Sequence, residues 1–189
     1  MPQRAEEVVA FWEEIGPEGW YRSDDDLDAR IRERFSGVWE EAAAGGLVDW
    51  RCNPTGALAY LIVTDQFPRN MFRDDPRAFA TDQMARDAAM IAVQRDFDLR
   101  TDEPIRQFFY LPFMHAEDPF DQDRCVRLFV ARMPRTGAEN LRHARAHRDV
   151  IRRFGRFPHR NRTLDRRSTE DEERFLQAGG YGAVVEAIA

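Results

Sequence analysis

The sequence predicts an all-α fold of about eight antiparallel helices, from periodicity and punctuation alone. Apolar residues recur at the helical spacing almost throughout, and strand-like alternation is nearly absent. Proline, glycine and capping residues stand where the periodic stretches should begin and end. The intervening loops are of ordinary length. The parity of elements suggests antiparallel helix pairs, as a bundle or a short solenoid stack. No fixed repeat period is present.

Val8, Val9, Phe11, Trp12 and Ile15 make an amphipathic first helix that should end at Gly16-Pro17. Ser23 and the aspartates 24–26 offer cap chemistry and negative charge to a second. Its stripe of Leu27, Ile31, Phe35, Val38 and Trp39 runs until Gly45-Gly46. Asn53-Pro54 opens a third, cap then proline. Leu58, Leu61, Ile62 and Val63 make that helix apolar on most sides, as a central buried helix would be. Pro68 should bend or end it, because proline lacks a donor and clashes with the preceding turn. A fourth helix is expected over about 76–97, its alanines permitting close approach, and a short fifth from Glu103-Pro104 through Tyr110. Two more should cover 121–133 and 137–154, and Ser168-Thr169-Glu170 should cap a last one.

Composition narrows the classes of function. With 189 residues, 43% of them hydrophobic, the chain suits one globular domain spanning 1–189. No linker or second-domain boundary stands out. Two cysteines, Cys52 and Cys125, are too few for a disulfide framework and are expected to be buried free thiols. The start of the chain lacks an apolar signal core, and the longest apolar run, Ala57 to Val63, falls far short of the ~20 residues a bilayer needs. These features point to a cytoplasmic location. All 28 basic residues are arginine, and ten of them, against two aspartates, fall within 142–167 of a chain whose net charge is −6. An acidic body with one basic segment disfavours nucleic-acid coating and fits a local anion site or internal pairing. There is no phosphate-cradling glycine loop, no Gly-x-Ser-x-Gly turn and no cysteine with a local histidine.

Three segments concentrate chemistry. The first, 64–73, carries Asp65, Arg69, Asn70 and Arg73 between Phe67 and Phe72; Asp65 and Arg69 would pair on a continuing helix, though Pro68 disturbs that spacing. In the second, 108–118, an aromatic run leads into His115, Glu117 and Asp118. His115 with Glu117 is a candidate acid–base pair, whereas Asp118 reads as a helix cap. The third runs from His143 to Arg167. His143 and His147 lie four apart on one helix face, but no adjoining glutamate or cysteine completes a metal motif, so no metal is assigned. His147 is expected to face inward with Ile151 and Phe154 and to accept a hydrogen bond. Gly155 suits a left-handed cap, and Pro158 prevents the helix from resuming, which would place Arg156, His159, Arg160, Asn161 and Arg162 on an ordered loop. Planar guanidiniums on such a loop can hold carboxylate or phosphate bidentately.

Together these segments resemble the bacterial DUF924 family. The features that carry the resemblance are Asp-Gln-Phe-Pro-Arg-Asn-Met-Phe-Arg at 65–73, Ala-Phe-Ala-Thr-Asp at 78–82, Phe-Phe-Tyr-Leu-Pro-Phe at 108–113, and His147 with Arg-Phe-Gly-Arg-Phe-Pro-His-Arg-Asn at 153–161. Ser168-Thr169-Glu170, Phe11-Trp12 and Trp20-Tyr21 agree as well. Two departures stand out. The family pattern reads Glu-His-Ser-Glu where this chain has Met114-His115-Ala116-Glu117, and Leu-Gly-Arg where it has Leu164-Asp165-Arg166. The resemblance implies a tetratricopeptide-like helical fold and brings no established activity with it.

The leading expectation is a pocket that binds a small anionic ligand. Asp65, Arg69, Asn70, Arg73, Arg156, His159, Arg160 and Asn161 are its ligand-binding candidates. His115, Glu117 and His147 are the catalytic candidates, should the protein be an enzyme. The alternatives are a protein-interaction scaffold and an enzyme that uses the His115–Glu117 pair. No cofactor is assigned, and a nucleic-acid or membrane partner is not expected.

Overall fold

In the computed structural model, which describes residues 2–188, every regular element is helical, and no strand occurs among the described residues. The chain divides into two compact units, one ending at Pro112 and the other beginning at Phe113. The fold is all-α.

In the first unit, α1 (Pro2–Trp20) does not stop at Gly16-Pro17 but kinks there, with Gly16 at φ 69°, and resumes for one turn. That turn brings Trp20 back to donate its indole N–H to the Trp12 carbonyl at 2.7 Å. Asp24 caps α2 (Asp25–Ala43) by accepting from the amides of Asp26 and Leu27, and Asn53 caps α3 (Pro54–Leu61) by accepting from Gly56. Gly56 has a steric reason to be glycine, since a Cβ there would stand 2.2 Å from the Trp50 carbonyl. As expected, α3 is central: residues 57–63 are all buried. It packs against α1 and against α5 (Asp82–Gln94), whose alanines 85, 88, 89 and 92 are buried. Trp12, Phe35, Phe67 and Phe108 form the aromatic core.

The response to Pro68 differs from the expected break. A π-helical turn, Ile62–Gln66, widens the backbone one step earlier, and Phe67 donates to the Ile62 carbonyl five residues back. Pro68 then occupies the first turn of α4 (Phe67–Met71), where it does no harm. The expected helix at 76–97 is also divided. A 3-10 turn (Pro76–Phe79) precedes α5, and between them the buried Thr81 bonds to the Thr64 carbonyl at 2.6 Å.

A short α6 (Leu111–Met114) marks the junction of the units. In the second unit, Asp118 caps α7 (Pro119–Arg132), which packs against α8 (Ala138–Phe154). Gly155, at φ 71°, closes α8 in the left-handed conformation. The expected single last helix is two, α9 (Glu170–Gln177) and α10 (Gly180–Ala187), separated by left-handed backbone at Gly179 and Gly180. Val150, Ile151, Phe157 and Phe175 form the core of this unit. Of the two thiols expected to be buried, only Cys125 is; Cys52 ends a 3-10 turn and is exposed. No helix among the described residues is long and apolar enough to cross a membrane.

Candidate functional site

The candidate residues of the first unit form two ion-paired groups. The π turn and α4 carry Arg69 toward Asp82, which it meets bidentately at 2.9 and 3.0 Å. The same guanidinium donates to the Asp65 carbonyl at 2.6 Å and lies 3.3 Å from the Asp65 carboxylate, so the pairing with Asp65 survives Pro68. Asp28, buried on α2, accepts from Asn70 at 2.8 Å and from both Nε and Nη2 of Arg73. Each of these side chains has an internal partner.

The second unit assembles a different group. Gln122 of α7 donates to the carbonyls of Met114 and Ala116 at 2.6 and 2.8 Å and so fixes the turn that bears His115. On α8, His147 bonds through Nδ1 to the His143 carbonyl at 2.9 Å, one turn back. A carbonyl oxygen only accepts, so His147 donates there, against the acceptor role expected of it. Its ring lies 6.3 Å from that of His115, 5.4 Å from Phe157 and 4.6 Å from Tyr181. Tyr181 in turn bonds through its hydroxyl to Nδ1 of His143, whose Nε2 lies 3.2 Å from Glu139. Beyond the Gly155 cap, His159 packs 5.6 Å from Phe157, and the buried Arg160 lies 4.5 Å over the same ring. All four histidines of the chain therefore belong to one cluster around His147, Phe157 and Tyr181.

Burial, and after it positive neighbours, sets the protonation of His147 and His159. Burial, and after it the neighbouring His115, lower His147 to about 3; Arg160 and His159 add to the shift, and the bond to His143 opposes it. Burial of its inner edge and the Arg160 cation lower His159 to about 4, a shift that its exposure to solvent moderates. At neutral pH His147 is an uncharged imidazole.

Glu117 holds the loop rather than facing it. Its two oxygens accept from Arg166 at 2.6 and 2.9 Å and from the Phe157 amide at 2.8 Å. Burial opposes ionisation, but the Arg166 bonds and the amide outweigh it, so Glu117 lies below the usual carboxylate range. Arg166 also reaches the Phe157 carbonyl and the side-chain oxygen of Asn161, which is itself buried and bonded to Ser168. Arg156 points elsewhere. It grips the buried Glu172 bidentately at 2.6 and 2.7 Å and thereby draws that carboxyl down to about 2, while Glu172 completes the capping box of α9 with Thr169. Among the described residues, no group of three or more His, Cys, Asp or Glu is arranged to hold a metal ion.

A family model, the bacterial proteins of unknown function called DUF924, matches residues 8–180. The chain belongs to the DUF924 family. A solved structure of ATU0120, a protein of unknown function from Agrobacterium tumefaciens, is 40% identical to this DUF924 chain. The likeness covers 94% of this chain and 99% of that one, with a TM-score of 0.89. No curated protein matches.

Sequence reasoning missed three members of the cluster: Phe157, Arg166 and Tyr181. Phe157 lay inside the 153–161 motif, and Arg166 had a local signal in the Leu-Asp-Arg that stands for Leu-Gly-Arg in the family pattern. Asp165 is left-handed here, at φ 50°, which explains a glycine at that place. Its turn returns the Arg166 amide to the Asn161 carbonyl at 2.8 Å and aims the guanidinium at Glu117. Asp165→Val is expected to cost about 1–2 kcal/mol in chemical denaturation, because a β-branched residue is strained at positive φ, whereas Asp165→Gly should cost nothing measurable. Equal losses in the two variants would remove the backbone explanation.

Proposed function

We propose that the histidine cluster of the second unit binds a small oxyanion. Arg160 supplies positive potential, His115 and His159 supply ring N–H donors, and His147 contributes a fixed neutral imidazole. Glu117 and Arg166 position the Phe157–Asn161 loop, and Arg156 ties that loop to α9. In this reading Glu117 is not an acid–base partner of His115, since its oxygens are engaged by Arg166 and the Phe157 amide. Arg69, Arg73, Asp65 and Asn70 maintain the first unit. The observation that carries the reading is the gathering of all four histidines and Arg160 around His147, Phe157 and Tyr181, where burial, and after it the neighbouring cations, lowers His147 and His159.

Thermal-shift titration with inorganic phosphate, sulfate and succinate tests it. Wild type is expected to gain roughly 3–5 °C at ligand about tenfold above Kd. Arg73→Gln, in the first unit, should respond like wild type, and His159→Ala should respond much less. Melting unmoved by every anion, or an undiminished response of His159→Ala, would sink the reading.

A scaffold role draws on one observation, the internal pairing of Arg69, Arg73 and Arg156, which commits those motif arginines to the fold. Recovery of one specific protein in a pull-down, with no anion response in the thermal series, would favour it.

A further inference from the structure

We propose that the bound oxyanion carries an O–H group of its own, as hydrogen phosphate and α-hydroxy acids do, and donates it to Nε2 of His147. The inference rests on the anion-binding reading above and names the chemical class that the site would select.

The argument starts from the tautomer. Nδ1 of His147 lies 2.9 Å from the His143 carbonyl, and since a carbonyl has no proton to give, Nδ1 bears the hydrogen. A neutral imidazole with its proton on Nδ1 has only a lone pair at Nε2. No protein donor among the described residues meets that lone pair. Turning the ring over would sacrifice the backbone bond and disturb edge contacts with Phe157 and Tyr181. Protonation of Nε2 is opposed first by burial and then by the positive neighbours, which together hold the group near 3. The cluster thus combines positive charge, which attracts an anion, with one imidazole whose only proton is committed to the backbone.

A fully deprotonated anion such as sulfate or succinate offers Nε2 only lone pairs. Hydrogen phosphate offers the same charge and one hydroxyl, and malate offers a hydroxyl on the succinate frame. A site built around a hydrogen bond rejects the analogue that lacks the partner, because its own polar group is then left unpaired.

Isothermal titration of the wild-type protein decides the matter at mildly alkaline pH, where phosphate and sulfate are both dianions. Phosphate is expected to bind about tenfold or more tightly than sulfate. Malate exceeding succinate by a similar factor would assign the hydroxy acid as a ligand. Phosphate preference with malate and succinate equal would assign hydrogen phosphate alone. In His147→Leu the preference of phosphate over sulfate should vanish, and if that variant does not fold the wild-type ion series still gives the answer. Equal affinity for phosphate and sulfate overturns this inference and leaves the anion site standing; no binding of either overturns both.

Discussion

Arg166→Ala is expected to lower stability by about 2–4 kcal/mol, the largest loss among single arginine substitutions in the second unit. The side chain makes four hydrogen bonds, two to Glu117 and one each to the Phe157 carbonyl and Asn161. Removing it leaves the Glu117 carboxylate half-buried with the Phe157 amide still donating to it, and it frees the turn that seats Phe157 in the core. Arginine and glutamate here are each 24% exposed, so the loss should fall below that of a fully buried pair. Arg166→Lys keeps the charge but cannot reproduce the two-pronged bond, and should recover about half of the loss. The comparison is Arg174→Ala, whose partner Asp171 lies in open solvent and whose loss should stay under about 0.5 kcal/mol. Urea denaturation monitored by tryptophan fluorescence and by circular dichroism gives both values. A loss for Arg166→Ala no greater than that for Arg174→Ala would mean that the clamp is only a surface pair.

The contrast between these two arginines shows which parts of the molecule can be read from the chain. Asp24, Asn53, Asp118 and Thr169 were legible as caps because the amides they satisfy lie two or three residues away. Gly155 was legible as a left-handed cap for the same reason. Partner choice was not. Arg73 and Asp28 are 45 residues apart, and Arg166 and Glu117 are 49 apart, so nothing local selects one carboxylate over its many neighbours in an acidic chain. The basic segment therefore looked like a set of equivalent ligand-binding arginines. In the fold Arg156 turns to Glu172, Arg160 stacks on Phe157 and Arg166 clamps Glu117. The π turn escaped notice for another reason: Pro68 signals that the ladder must be relieved, but the relief falls upstream, at Ile62–Gln66, where no glycine or proline marks it. Tyr181 reaches the cluster only because the last helix is broken at Gly179–Gly180, a break that periodicity alone did not reveal.

Below pH 6.5 the protein should lose stability through His147 well before its paired carboxylates titrate. The folded value of about 3 lies beneath the ordinary histidine value of 6.5, so between them the unfolded chain binds a proton that the folded chain refuses. His147 therefore contributes its full share above pH 6.5, and that share declines as pH falls, until the loss is complete near pH 3. The slope for one proton approaches about 1.4 kcal/mol per pH unit as an upper limit, reduced by whatever water reaches the ring. Glu172, held at about 2 by Arg156, acts in a lower window, losing its contribution from about 4.5 downward. Chemical denaturation at intervals between pH 7.5 and 5 isolates the histidine. His147→Gln, which cannot take up the proton, should flatten the profile over that range, and His159→Ala should flatten it less because its exposed ring refuses the proton less strongly. If wild type and His147→Gln lose stability in parallel from pH 7.5 to 5, His147 accepts a proton in the folded state. Its Nε2 would then be a donor, and the preference for a hydroxyl-bearing anion would lose its physical basis.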